Sequence, residues 1–266
     1  MIEKIREIID ELLRNDKVQG LIGLSKENGN VQPRLFKKED SLDSLVLAPK
    51  YPLASICRLI QSKYPEGKLG IVARGCDDRA LVELAKRQQI DMDKLVIIGV
   101  ACTEDEAREC CCEYPYPQKV DVGEKVDGVT TNKEVETLLE MDFDERLKFW
   151  SDAFSKCIKC YGCRNACSLC ICEECKLEDD LWVKGGEIPP EFPTFHLIRA
   201  YHLSDKCTGC GECQKACPMD IPLTTLYAML RKEFKQLFDY VPGMDIARNS
   251  PLATTLEQEP IREVVS

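Results

Sequence analysis

Long apolar runs are missing from this chain of 266 residues. The longest stretch free of polar side chains, Leu95 to Cys102, is eight residues, against the roughly 18 or more of a membrane-spanning helix, so no span is expected. The amino terminus, Met1 to Asp10, mixes charge with apolar residues at helical spacing and lacks the continuous apolar segment of a secretory signal. It reads as a helix of a cytoplasmic protein. Positive charge is in deficit: 36 Lys and Arg against 46 Asp and Glu leave a net charge of −10, which repels a phosphate backbone or an anionic membrane. Nucleic acid is therefore not expected as a partner. Histidine is scarce as well: His196 and His202 are the only two, no Ser-His-Asp or metal-hydrolase pattern accompanies them, and both read as structural. Neither G-x-G-x-x-G nor a P-loop occurs, so phosphate binding at a glycine-rich helix start has no support.

Cysteine is the residue in excess. There are 17, an odd number in a chain without an export signal, where clustered thiols are used for metal rather than for disulfides. Six precede residue 150 and eleven fall between Cys157 and Cys217. That density divides the chain into an α/β domain over 1–132, a helical connector over 133–156, a cysteine-rich domain over 157–240 and an extended tail over 241–266.

The first part reads as α/β with a mostly parallel sheet. Gln19 to Leu24 and Val31 to Phe36 flank Glu27-Asn-Gly-Asn30, turn chemistry for a β-hairpin, and Pro33 places its strand at an edge. Strand then alternates with helix: Ser44 to Ala48 before Leu53 to Lys63, and Lys68 to Ala73 before Asp78 to Gln89. A third strand, Leu95 to Val100, precedes another helix start. Tyr114 to Thr131 is a connector or an excursion. Lys133 to Phe154 reads as one helical segment, and Leu223 to Tyr240 as an amphipathic helix.

Two runs carry the chemistry. Cys157-x2-Cys160-x2-Cys163-x3-Cys167 and Cys207-x2-Cys210-x2-Cys213-x3-Cys217-Pro218 follow the bacterial ferredoxin pattern, the first with Ser168 in place of the proline. On the rule that each run lends its fourth cysteine to the other cluster, one 4Fe-4S cubane takes Cys157, Cys160, Cys163 and Cys217. The second takes Cys207, Cys210, Cys213 and Cys167. This predicts an α+β two-cluster ferredoxin-like domain. Zinc is the alternative for paired C-x2-C, but it gives no reason for a third cysteine at the same spacing twice over.

The 39 residues between the runs open with Cys170-Ile-Cys172-Glu-Glu-Cys175, three thiols beside acidic residues and ill suited to an apolar core. They are read as further metal ligands without a local fourth. In the first domain, Cys76 and Cys102 fall at the carboxyl ends of neighbouring strands, the edge where open α/β sheets place ligands. Cys76, Cys102, Cys110 and Cys112 could complete a cubane. Thr103-Glu-Asp-Glu106 is a capping box, however, and a helix running unbroken from Cys102 to Cys110 would separate those two by roughly 12 Å. Either that helix is short or bent, or Cys110 to Cys112 serve the Cys170 group. Three or four clusters are expected in all, and Cys57 reads as core packing. Lys50 and Arg74 are the cations that could hold a flavin phosphate, or else are solvated surface charges.

The phrases Arg74-Gly-Cys-Asp-Asp-Arg-Ala-Leu-Val-Glu-Leu-Ala-Lys86, Ile98-Gly-Val-Ala-Cys102 and Cys157 to Cys167 resemble the beta-subunit family of deazaflavin-linked hydrogenases and formate dehydrogenases. The likeness runs over about residues 45 to 240. It is nearest to iron-sulfur members associated with heterodisulfide-reductase-type complexes in anaerobes. The resemblance implies FAD as an additional cofactor and electron exchange with a reduced deazaflavin, although a cluster at Cys76 and Cys102 would occupy the flavin's edge of the sheet. The expected function is an electron-transfer subunit, not itself catalytic, relaying electrons between partner subunits of an anaerobic cytoplasmic oxidoreductase. The alternative is a flavin-containing beta subunit that oxidises or reduces a deazaflavin or nicotinamide hydride carrier. The tail from Met244, with Leu252, Leu256 and Ile261 as scattered apolar residues and two prolines, is expected to lie along a partner subunit or a second copy of the chain, or else to be disordered.

Overall fold

A computed structural model describes residues 1–252. Helix α1 (Ile2–Arg14) places Ile5, Ile9 and Leu13 one turn apart and buries all three. Strands β1 (Gly20–Glu27) and β2 (Asn30–Phe36) form the expected hairpin, with Glu27 opposite Asn30. Its two-residue turn has positive φ at Asn28 and Gly29, as a type I′ turn requires. Strand β3 (Leu45–Val46) is followed by α2 (Leu53–Lys63), β4 (Leu69–Ala73), α3 (Gly75–Lys86), β5 (Leu95–Gly99) and α4 (Glu104–Glu109). The sheet order is β2-β1-β4-β5, with β3 also on β1.

The sheet is mixed rather than mostly parallel. β1 pairs antiparallel with β2 and β3, and only the β1-β4 and β4-β5 pairings are parallel. The expected strand Ser44 to Ala48 shrinks to two residues, because Pro49 and Pro52 supply no backbone donors and β4 already pairs β1 from Gly20 to Ile22. Helix α3 begins at Gly75, not Asp78. The Asp77 carboxylate accepts the Arg74 backbone N–H at 3.3 Å, so both aspartates sit in the first turn, where the helix dipole favours them. A side chain at residue 75 would meet the Tyr116 carbonyl at 2.5 Å.

One face of the sheet packs Leu21, Val72 and Ile98 against α1; the other packs Ile22, Ile71 and Ala73 against α2 and α3. The segment after α4 returns along the free edge of β5. Gly99 N–H donates to Asp121 at 2.8 Å, and Val100 bridges Val122. The expected single helix from Lys133 to Phe154 is two, α5 (Lys133–Glu140) and α6 (Phe143–Phe154), divided by a capping box of Asp142 with Glu145. Helices α7 (Gly162–Asn165), α8 (Thr194–Leu203), α9 (Glu212–Lys215) and α10 (Leu223–Phe238) complete the chain. No helix among the described residues is long and apolar enough to cross a membrane.

The cysteine-rich half is fixed to α3 by charged groups on one helical face, at 79, 83 and 87. Arg79 donates to the carbonyls of Tyr114 at 2.8 Å and Thr208 at 3.2 Å. Fully buried Glu83 accepts from the Tyr240 hydroxyl at 2.9 Å and the Gly243 N–H at 2.7 Å, and it also pairs with Lys86 and Arg87. Arg87 reaches Asp205 at 2.8 Å, and Asp205 accepts in addition from the Ser250 hydroxyl. The first residues beyond Tyr240 are thus tied to α3. Residues 253–266, including Leu256 and Ile261 of the expected tail, lie outside the described residues. Cutting after Tyr240 would remove part of this seam along with the tail.

Removing the carboxylate of Glu83 strands buried cations and donors, a defect of about 3–5 kcal/mol. Glu83→Ala is expected to lower the unfolding free energy measured by chemical denaturation by that much and Glu83→Gln by less. A loss under about 1 kcal/mol in Glu83→Ala would show that the seam does not hold the two halves.

Candidate metal centres

The two ferredoxin-type runs fold alike. Each leaves a helix end, with Cys157 N–H on the Phe154 carbonyl and Cys207 N–H on the Leu203 carbonyl. Each has positive φ just before and just after its second cysteine, at Lys159 and Tyr161 in the first and at Gly209 and Gly211 in the second. Each then makes a four-residue helix, α7 or α9, that ends two residues before the fourth cysteine. Alternation of right- and left-handed residues turns successive N–H groups inward, the concavity that anionic clusters use. The glycines take this shape without cost; Lys159 and Tyr161 take it against their Cβ. Helices α7 and α9 touch at Gly162, where a Cβ would lie 2.7 Å from the Ala216 carbonyl.

Contact between α7 and α9 brings fourth cysteines across. Cys157, Cys160, Cys163 and Cys217 line one small cavity beside Phe195, His196 and Met219. Cys167, Cys207, Cys210 and Cys213 line a second of about 510 Å³. Burial pushes the Cys157, Cys163 and Cys210 thiols up, and Cys213 to about 12. Free thiols there would stay protonated, whereas a bound metal deprotonates its thiol ligands outright. Four sulfurs around each cavity, with amides turned inward, fit a cubane. Among the described residues no three Cys, His, Asp or Glu side chains converge as a single ion would require.

Cys170, Cys172 and Cys175 line a third cavity, of about 690 Å³, which Cys167 also borders. The Cys167 and Cys170 thiols share a hydrogen bond that holds Cys170 down and raises Cys167.

The amino-terminal set divides. Helix α4 is six residues long, Cys110 caps its end and Cys111 turns the chain at φ 45°, so Cys110 and Cys112 border different cavities and Cys111 borders both. Cys110 and Cys111, with Cys76 from the start of α3, open onto the cavity of the second run. Cys102 lies 3.7 Å from the Arg74 guanidinium, and Cys112 borders a separate cavity with Arg79 and Tyr114. Cys57 is fully buried in the core, its thiol pushed up to about 12 by burial.

The cations named from sequence are internal. Arg74 pairs with Glu106 at 2.6 Å and donates to the Leu47 carbonyl at 2.9 Å. Lys50 is held between Glu212 at 3.4 Å, the Cys110 sulfur at 3.6 Å and the Cys210 carbonyl. Neither is a solvated surface charge. His196 stacks on Phe154, ring centroids 3.9 Å apart, and burial pushes its pKa down to about 4. Sequence reasoning missed Arg199, which stands among the thiols, and Arg231, 3.6 Å from the Cys207 sulfur. The available signal was a cation on an apolar helical stripe: Arg199 shares the buried face of α8 with Phe195, Ala200 and Leu203.

Residues 200–222 match the 4Fe-4S binding domain family. The chain is 38% identical over 136 residues to the F420-dependent formate dehydrogenase subunit beta of Methanocaldococcus jannaschii, covering 50% of this chain and 36% of that protein. It is 26% identical over 294 aligned positions to the F420-dependent formate dehydrogenase 1 subunit beta of Methanococcus maripaludis, covering 70% of this chain and 76% of that one. The first match thus spans about a third of the relative's length.

Gly162→Ala is expected to force α7 from α9, costing about 1–3 kcal/mol and lowering the iron retained per chain. A variant with native thermal stability and iron content would show that this contact does not set the cluster geometry.

Proposed function

We propose that this chain, related in sequence to the beta subunits of F420-dependent formate dehydrogenases, is an iron-sulfur electron-transfer subunit of an oxidoreductase. The observation that carries the reading is the crossing of the two cysteine runs, which puts the fourth cysteine of each run on the cavity lined by the first three of the other. Cys157, Cys160, Cys163 and Cys217 hold one 4Fe-4S cubane, and Cys207, Cys210, Cys213 and Cys167 hold the other. Cys170, Cys172 and Cys175 belong to a further cluster beside Cys167, while Cys76 and Cys110 face the second cubane across the cavity. Bound clusters supply uptake and release of single electrons. The protein's part is to fix their spacing, exclude water with residues such as Phe195 and Leu203, and set their potentials with amides, the buried Arg199 and the half-buried Lys50 and Arg231.

In this reading the α/β unit (1–132), the helical connector (133–156) and the two-cluster ferredoxin-like unit (157–240) are parts of one relay. Its partners are the other redox subunits of an anaerobic cytoplasmic complex, of formate dehydrogenase, hydrogenase or heterodisulfide-reductase type. A second reading, in which the chain binds FAD and exchanges hydride with a deazaflavin, draws on the relatives' description as F420-dependent.

Protein purified without oxygen is expected to carry about eight irons or more, with matching acid-labile sulfide. Stoichiometric zinc without sulfide would overturn both readings. Stoichiometric flavin, with turnover of a reduced deazaflavin by this chain alone, would establish the second.

A further inference from the structure

Arg199 is 4% exposed and makes no ion pair with a carboxylate among the described residues. Its Nη1 donates to the Tyr227 hydroxyl and its Nη2 to the Cys163 carbonyl at 2.6 Å, while Nε has no partner. The guanidinium borders both larger cavities, and the thiols of Cys163, Cys167 and Cys170 are the sulfurs that act on it. One buried cation thus stands where a sulfur proposed for each of the two cubanes meets the additional Cys170 group.

An interior charge without a counter-ion costs several kcal/mol, and an unpaired buried donor adds to the cost. Tyr227 and a backbone carbonyl satisfy hydrogen bonds but bring no negative charge. A 4Fe-4S cubane with four thiolates is anionic and becomes more so on reduction. We infer that Arg199 is the internal counter-ion shared by the clusters, its charge raising the reduction potentials on both sides of the junction. This rests on the cysteine groups holding 4Fe-4S clusters. It assigns a positioning and potential-setting role to a residue outside every cysteine motif.

The test uses the full chain purified anaerobically as native, Arg199→Lys and Arg199→Met forms. Iron and sulfide per chain come first: clusters absent from the native protein would refute the cluster reading itself. With clusters present, potentiometric titration followed by electron paramagnetic resonance is expected to show Arg199→Met harder to reduce. The shift should be about tenfold or more in the reduction equilibrium, or 59 mV for a one-electron couple. Arg199→Lys, which keeps the charge and loses the Nε donor, should shift by less. Native potentials in a fully loaded Arg199→Met would overturn the inference; should that variant not load, native potentials in Arg199→Lys would do so. Cluster-free Arg199→Met is expected to be at least as stable as cluster-free native protein, since it no longer buries an unbalanced charge. A less stable cluster-free variant would reduce Arg199 to packing and refute the counter-ion role.

Discussion

The charged seam along one face of α3 is what the rest of the structure depends on. Arg79, Glu83 and Arg87 recur every four residues and so stack on one side of a helix. There they meet, in turn, the second cysteine loop at Thr208, the chain after α10 at Tyr240 and Gly243, and Asp205 just before that loop. Because the charged groups are buried together, each partner is held by a desolvation penalty as well as by a hydrogen bond. Cys76 lies at the start of the same helix, so the seam's register also decides that this thiol opens onto the cavity of the second run.

Charge is partitioned along with the fold. The chain carries a net charge of −10, yet the cations nearest the thiols are turned inward: Lys50 beside Cys110, Arg74 beside Cys102, Arg199 beside Cys163 and Arg231 beside Cys207. Anionic centres in a low-dielectric interior need such compensation more than exposed ones do. Lys50 joins the halves as well, since it comes from the loop before α2 and reaches Glu212 and the Cys210 carbonyl in the second run.

Much of this was legible in the sequence where the signal was local. The hairpin follows from Asn28-Gly29 and the core face of α1 from apolar spacing. The cysteine runs announce their loops because repeated C-x2-C spacing has few uses. Non-local pairing was not legible. β3 looks like the first strand of a parallel unit until β4 takes its place on β1, and nothing local shows that the turn at Cys111 sets Cys110 and Cys112 on different cavities. Arg199 escaped because a single cation on an apolar stripe acquires meaning only when the fold brings the thiols of the first cysteine run against it.

The central claim is that ligands cross between the runs, so that each cavity's fourth thiol comes from the other loop. The most direct measurement is the paramagnetic spectrum of the reduced protein in Cys217→Ser and Cys167→Ser. The account predicts that Cys217→Ser alters the cluster whose other ligands are Cys157, Cys160 and Cys163 and spares the second, with Cys167→Ser doing the reverse. If Cys217→Ser instead altered the signal that Cys207→Ser also alters, each run would be closing its own cluster and the account would be wrong.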